Sequence, residues 1–258
     1  VKRISRDALE PLIFFVALLV LWEILVELVQ VPSFILPPPR DLYYSFVTKL
    51  PVIGPHAVVT FAEALGGFAL SFVLGVLFAV GVVHSRHLHN TLYPLIVILY
   101  AMPKSAFAPL MVIWIGYGLM SKIAIAFLVA FFPIVVNMVV GLREVEPELL
   151  ELARIYRASR FDVFRKIRLP SSLPYMFAGI RVALVLSVTG AIVAEFVAAN
   201  QGLGYLILQA NYSLDTAFAL VNLLILAVLS LVSFVAVNAL QKRLAPWSAE
   251  VRQVEGSF

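Results

Sequence analysis

Residues 173–199 read LPYMFAGIRVALVLSVTGAIVAEFVAA, a run whose only charges are Arg181 and Glu195. As a helix rising about 1.5 Å per residue it is about 40 Å long, enough to cross a hydrocarbon layer of ~30 Å. Five further apolar runs accompany it, at 11–29, 57–83, 92–115, 123–142 and 217–240. None alternates apolar and polar residues as barrel strands do. The expected fold is therefore all-α: a polytopic membrane protein with six transmembrane helices. The third run contains Pro94, Pro103 and Pro109. Each proline removes a helix donor and crowds the preceding turn, so a broken or kinked span is expected there.

The whole composition agrees. Of 258 residues, 62% are hydrophobic and 13% charged, against about half and a quarter in soluble domains. The absence of cysteine excludes disulfides, iron–sulfur clusters, thiolate metal sites and cysteine nucleophiles. A net charge of +4 raises the question of nucleic acid, but the cations sit beside the apolar runs, and lipid is the expected partner. With the N-terminus inside, the inner segments hold Lys2, Arg3, Arg6, Arg86, Arg143, Arg154, Arg157, Arg160, Arg165, Lys166, Arg168, Lys242, Arg243 and Arg252. The outer ones hold Arg40, Lys49 and Lys122. This bias predicts a multi-pass membrane protein with both termini cytoplasmic. The first run contains Glu23 and Glu27 and lacks a clear cleavage site, so it reads as a retained helix rather than a signal peptide.

Three regions follow: an N-terminal helix with an outer interfacial segment (1–56), a core (57–247) and a cytoplasmic tail (248–258). Within the first, residues 31–55 read as an extended segment around Pro37, Pro38 and Pro39, then a short interfacial helix or an ordinary connector.

The long inner loop, 143–170, is built for helices. Pro147 between Glu146 and Glu148 suits a first turn, and Ser159 with Asp162 forms a variant capping box for a second helix. Phe161, Phe164 and Ile167 recur along that helix until Leu169-Pro170 is expected to end it. Such a loop reads either as a handle for a cytoplasmic partner or as a positive anchor on lipid.

Glu151-Leu152-Ala153 followed by Ile167-Arg168-Leu169-Pro170 resembles the signature loop of permease subunits of binding-protein-dependent ABC importers. Met102-Pro103-Lys104-Ser105-Ala106-Phe107-Ala108-Pro109-Leu110, Trp114-Ile115-Gly116, Pro174-Tyr175, Gly179-Ile180-Arg181, Glu195-Phe196 and Gly202-Leu203-Gly204-Tyr205 extend the resemblance. It points to the nitrate, sulfonate and taurine branch. It implies a homodimeric permease of a bacterial inner membrane that receives substrate from an external binding protein and docks a coupling helix on ATP-binding subunits. The coupling residues would be Glu151, Ala153, Arg157, Ser159, Ile167, Leu169 and Pro170. The chain lacks a G-x-x-x-x-G-K-[ST] phosphate loop, so no cofactor and no enzymatic activity of its own are expected. Arg157 stands where the family has glycine. A left-handed residue there costs about 1–2 kcal/mol, so Arg157 is expected to stay helical and the break to shift to Ala158 and Ser159.

Gly67, Ser71, Gly75 and Ala79, and likewise Gly179, Ala183, Ser187 and Ala191, form ladders of small residues suited to close helix crossings. Glu23, Glu27 and Glu63 are expected at the outer interface. Arg181 and Glu195, about 21 Å apart on one helix face, and Lys104 in the broken span are candidate pathway residues. Glu195 would act as an outer gate, and Lys104 would contact an anion or pair with an acid such as Glu63. Gly202-Leu203-Gly204 reads as a tight turn. His84, His87 and His89 lack a neighbouring acid, and no metal site is assigned to them. Asn137, Thr189, Asn200, Gln201 and Asn222 are open between substrate contact and helix pairing. An ion-gradient-driven secondary transporter is the alternative function. It would need inverted repeats and midplane acids. The family resemblance implies a small anion or a pyrimidine-type vitamin precursor as the solute.

Overall fold

The computed structural model describes residues 6–247; the tail 248–258, with Arg252, and the opening Lys2 and Arg3 lie outside them. The helices are α1 (Arg6–Val29), α2 (Pro39–His84), α3 (Arg86–Ala101), α4 (Ala108–Ile115), α5 (Leu119–Arg143), α6 (Pro147–Ile155), α7 (Arg160–Val163), α8 (Leu169–Ala198), α9 (Leu203–Tyr212) and α10 (Thr216–Leu244). Among the described residues five helices are long and apolar enough to span a membrane. The pair Arg86–Ala101 and Lys104–Ile115, which meet at 90°, passes the same test together, as a broken span or a re-entrant loop, for five to six spans in all. The chain breaks where Met102 and Pro103 turn extended, before a 3-10 turn at Lys104–Phe107. The third run is thus broken, as its prolines require.

The centre of the fold is α5, which packs against α2 on one side and α8 on the other. Both ladders of small residues face these crossings and are buried. A Cβ on Gly67 would lie 2.4 Å from the Ala126 Cβ, and one on Gly190 would lie 2.7 Å from the Ala126 Cα. Ser71 spans the α2–α5 crossing, its hydroxyl within hydrogen-bond distance of its own helix at Gly67 O (2.8 Å) and of α5 at Phe127 O (3.0 Å). Where lipid gives no hydrophobic drive, such close approach supplies the dispersion contact that holds helices together.

Two expectations are corrected. The interfacial stretch after Pro39 is not a separate short helix: α2 runs unbroken for 46 residues through Pro51 and Pro55. At about 69 Å it exceeds a bilayer's apolar thickness twofold. Leu42 and Ile53 are buried with Leu203, Leu206, Ile207 and Phe218, and this packing keeps helical a segment whose prolines disfavour helix. Arg40 ties the start of α2 to α1 through Glu23 and Glu27.

Nor does Leu169-Pro170 end a helix. The chain is helical from Arg160 to Ala198, with a π-helical turn at Phe164–Arg168 in which the Leu169 amide donates to Phe164 O. Pro170 cannot donate, and its ring would crowd the carbonyl four residues back. A widened turn at that place accommodates both defects.

Candidate functional site

At one end of the molecule, α5 and α8 are joined by α6 and α7. Pro147 begins α6, with Glu148 in its first turn. The helix ends in a left-handed residue, and that residue is Arg157, with φ 50°. The expectation that Arg157 stays helical is therefore wrong. The Arg157 amide donates to Arg154 O (3.0 Å) and the Ala158 amide to Ala153 O (2.9 Å). These are the paired bonds of a Schellman motif, which satisfies two terminal carbonyls and offsets the left-handed cost. Ser159 then caps the next helix. Its Oγ accepts from the Asp162 amide (3.1 Å) and donates to the Asp162 carboxylate (2.5 Å).

Of the expected coupling residues, Glu151, Arg157 and Ser159 are exposed, Ala153 is buried, and Ile167, Leu169 and Pro170 are half-buried along the π turn and its exit. The outer face of the loop also exposes Leu152 (50%), Ile155 (77%), Tyr156 (78%) and Phe161 (67%). This apolar surface lies among arginines and glutamates. The loop is held to the helices by Arg168, whose Nη1 donates to Leu142 O (2.8 Å), and by the edge contact of His84 with Phe164.

The opposite end is built around the N-terminus of α9, a helix that the glycine-turn reading missed. Its first three amides each find an acceptor side chain. Gly202 N–H donates to His56 Nδ1 (2.9 Å), Leu203 N–H to Thr60 Oγ1 (2.8 Å) and Gly204 N–H to Glu195 Oε2 (2.5 Å). Thr60 in turn donates to Glu195 Oε1 (2.7 Å). An accepting Nδ1 leaves the His56 proton on Nε2. Gly202 has φ 111°, and a Cβ on it would fall 2.1 Å from the Glu195 carboxylate, so only glycine fits this turn.

Beside this cap, Lys122 donates to Glu63 (2.7 Å); both side chains are buried. Glu63 is thus no interfacial acid but half of a buried ion pair. Its partner is Lys122, counted from the sequence as an outer cation. An open cavity of about 880 Å³ adjoins the group and is lined also by Tyr117, Asn200 and Gln201.

The three pathway candidates do not converge. Glu195 belongs to the α9 cap. Arg181 reaches α10, hydrogen-bonding Asn238 Oδ1 (3.3 Å) and Gln241. Lys104 does not meet Glu63; it bonds Tyr100 O and lies 4.5 Å from the Tyr100 ring centroid and 5.4 Å from that of Phe132. Asn137, Thr189 and Asn222 donate to carbonyls of their own helices, which is neither the substrate contact nor the pairing between helices weighed from the sequence. His84 and His89 turn to different rings, Phe164 and Tyr93. His56 and Thr60 escaped the sequence reading. Their signal was present: His56, Thr60 and Glu63 stand at i, i+4 and i+7, a polar stripe in an apolar helix.

The family model described as "Binding-protein-dependent transport system inner membrane component" matches residues 71–247. The chain is 37% identical to the riboflavin transport system permease protein RibX of Chloroflexus aurantiacus, over 96% of this chain and 93% of that protein. It is 34% identical to the formylaminopyrimidine transport permease protein ThiX of Halalkalibacterium halodurans, over 94% and 97%. With the taurine transport system permease protein TauC of Escherichia coli it shares 29% over 96% and 93%. Among solved structures, an inward-facing conformation of the MetNI methionine ABC transporter is similar in fold, with TM-score 0.68, 20% identity, and coverage of 76% of this chain and 98% of that one.

Proposed function

The chain belongs to the inner membrane components of binding-protein-dependent transport systems, and from that membership we propose that it moves a small solute inward by alternating access, driven by ATP hydrolysed on separate subunits. It is a permease subunit and not itself an enzyme. The observation that carries the reading is the exposed apolar tip of the loop, Leu152, Ile155, Tyr156 and Phe161. A plain anchor on lipid has no use for a capped helix with Glu151 beside these side chains, whereas a groove on an ATP-binding subunit would cover them. Closure of the ATP-binding subunits would push α6, and the Arg168–Leu142 tie would pass that push to α5 and α8. Two copies of the chain would then rock about a shared pathway.

The ion pairs support an orientation with the loop and both termini cytoplasmic. Arg40, Lys49 and Lys122 are each paired with acids, Glu23 and Glu27, Asp215, and Glu63 respectively. The arginines of the loop are left to attract anionic lipid or a partner, as the positive-inside bias requires. In the pathway, Lys104 would meet the solute where the third span breaks. Glu195 would act as an outer gate by holding α9, and Arg181 would hold α8 to α10. The relatives named for riboflavin and formylaminopyrimidine point to a small nitrogen heterocycle delivered by an external binding protein.

Co-purification tests the reading. The tagged chain should bring down an ATP-binding subunit, and Glu151→Arg should lose that subunit while the chain still inserts and folds. A complex indifferent to Glu151→Arg and to Ile155→Asp would overturn it.

A further inference from the structure

Between the end of α2, α6 and α7 lies a cavity of about 510 Å³. His84, Arg154, Arg160 and Arg168 supply its basic lining, Leu150 and Phe164 part of its apolar lining, and no acid among the described residues lines it. Arg154 and Arg160 make no ion pair among the described residues. The nearby acid Asp162 is occupied by Lys166 (2.8 Å) and by the Ser159 hydroxyl. Arg168 is fixed by its bond to Leu142 O. The contrast with the other end is chemical: there each of Arg40, Lys49 and Lys122 has its acid, whereas here three guanidiniums and an imidazole surround one hollow with none.

Like charges gathered around a concave, partly apolar site repel one another until an anion enters. The guanidinium fork matches phosphate oxygens in pairs, and basic pockets beside membrane helices suit phospholipid head groups. We propose that this cavity binds a phosphate-bearing anion, which braces α6 against the end of α2. The phosphate can come from a phospholipid head group or from solution. Apolar Leu150 and Phe164 suit the glycerol side of the lipid.

The test uses the full chain, delipidated in detergent, with native mass spectrometry after addition of phosphatidylglycerol or phosphatidylcholine. A parallel titration uses inorganic phosphate in the phosphatidylcholine arm. One equivalent of phosphatidylglycerol without phosphate binding identifies a lipid site; saturable phosphate binding identifies a free-anion site. In either case Arg154→Gln and Arg160→Gln should each weaken binding about fivefold, while Arg154→Lys/Arg160→Lys retains most of it and Arg243→Gln leaves it unchanged. Among the described residues neither arginine's side chain holds another part of the fold by an ion pair, so both variants should melt as the parent does. Binding of neither ligand, or binding untouched by the double glutamine variant, overturns the proposal. So does a double variant that loses an ATP-binding subunit with both ligands still bound.

Discussion

Thr60 links two groups at the α9 cap: it accepts from Leu203 N–H and donates to Glu195. Thr60→Val keeps the shape and strands both partners, a cost of about 1–3 kcal/mol for a buried unsatisfied group. Thr60→Ser should restore stability, and a thermal melt in detergent checks both. The Lys122–Glu63 pair behaves differently. Removing one member leaves the other charge buried, so Lys122→Met should cost about 3–5 kcal/mol, and adding Glu63→Gln should recover most of it; chemical denaturation of the single and double variants measures this. These residues were only partly legible. The charge of Lys122 was visible, but its burial depends on α5 starting at Leu119, just beyond the Gly116-Tyr117-Gly118 turn. Glu63 looked interfacial because span edges were drawn from hydropathy, and hydropathy does not register that α2 continues outward past it.

Among the elements, the loop's two helices and their caps were readable because capping is local chemistry: Pro147 starts α6 and Ser159 starts α7. The Arg157 turn was misread because propensity was weighed without the two Schellman bonds that stabilise it. Arg157→Gly should therefore raise stability, by up to about 1–2 kcal/mol, and leave the loop's shape intact. Arg157→Val should lower it, since a β-branched residue is poorly suited to positive φ. Hydrogen exchange at the Arg157 and Ala158 amides distinguishes the two. The passage of α2 through Pro51 and Pro55, and of the α7–α8 helix through Pro170, was illegible for a related reason. A proline defect is local, but the packing of Ile53 against α9 and the widened π turn that absorb it are not.

For the whole molecule, the five long spans and the break in the third apolar run were legible from hydropathy and proline placement alone, because the bilayer fixes how long an apolar helix must be. The packing of α5 between α2 and α8 was foreshadowed by the two ladders of small residues. The division of charge gives the molecule two chemically distinct ends, and the cysteine-free sequence lets each be probed singly. Leu152→Cys should react with an impermeant maleimide only from the cytoplasmic side, and Tyr212→Cys only from the outside. The central claim is that motion of ATP-binding subunits enters the membrane through residues 143–170. Its most direct measurement is solute uptake by proteoliposomes holding the chain, its ATP-binding subunit and its binding protein, compared with the chain alone under an ion gradient. ATP-dependent uptake by the full set, abolished by Ile155→Asp in the loop, is the predicted result. Uptake by the chain alone on a gradient, or ATP-driven uptake indifferent to that substitution, would contradict it.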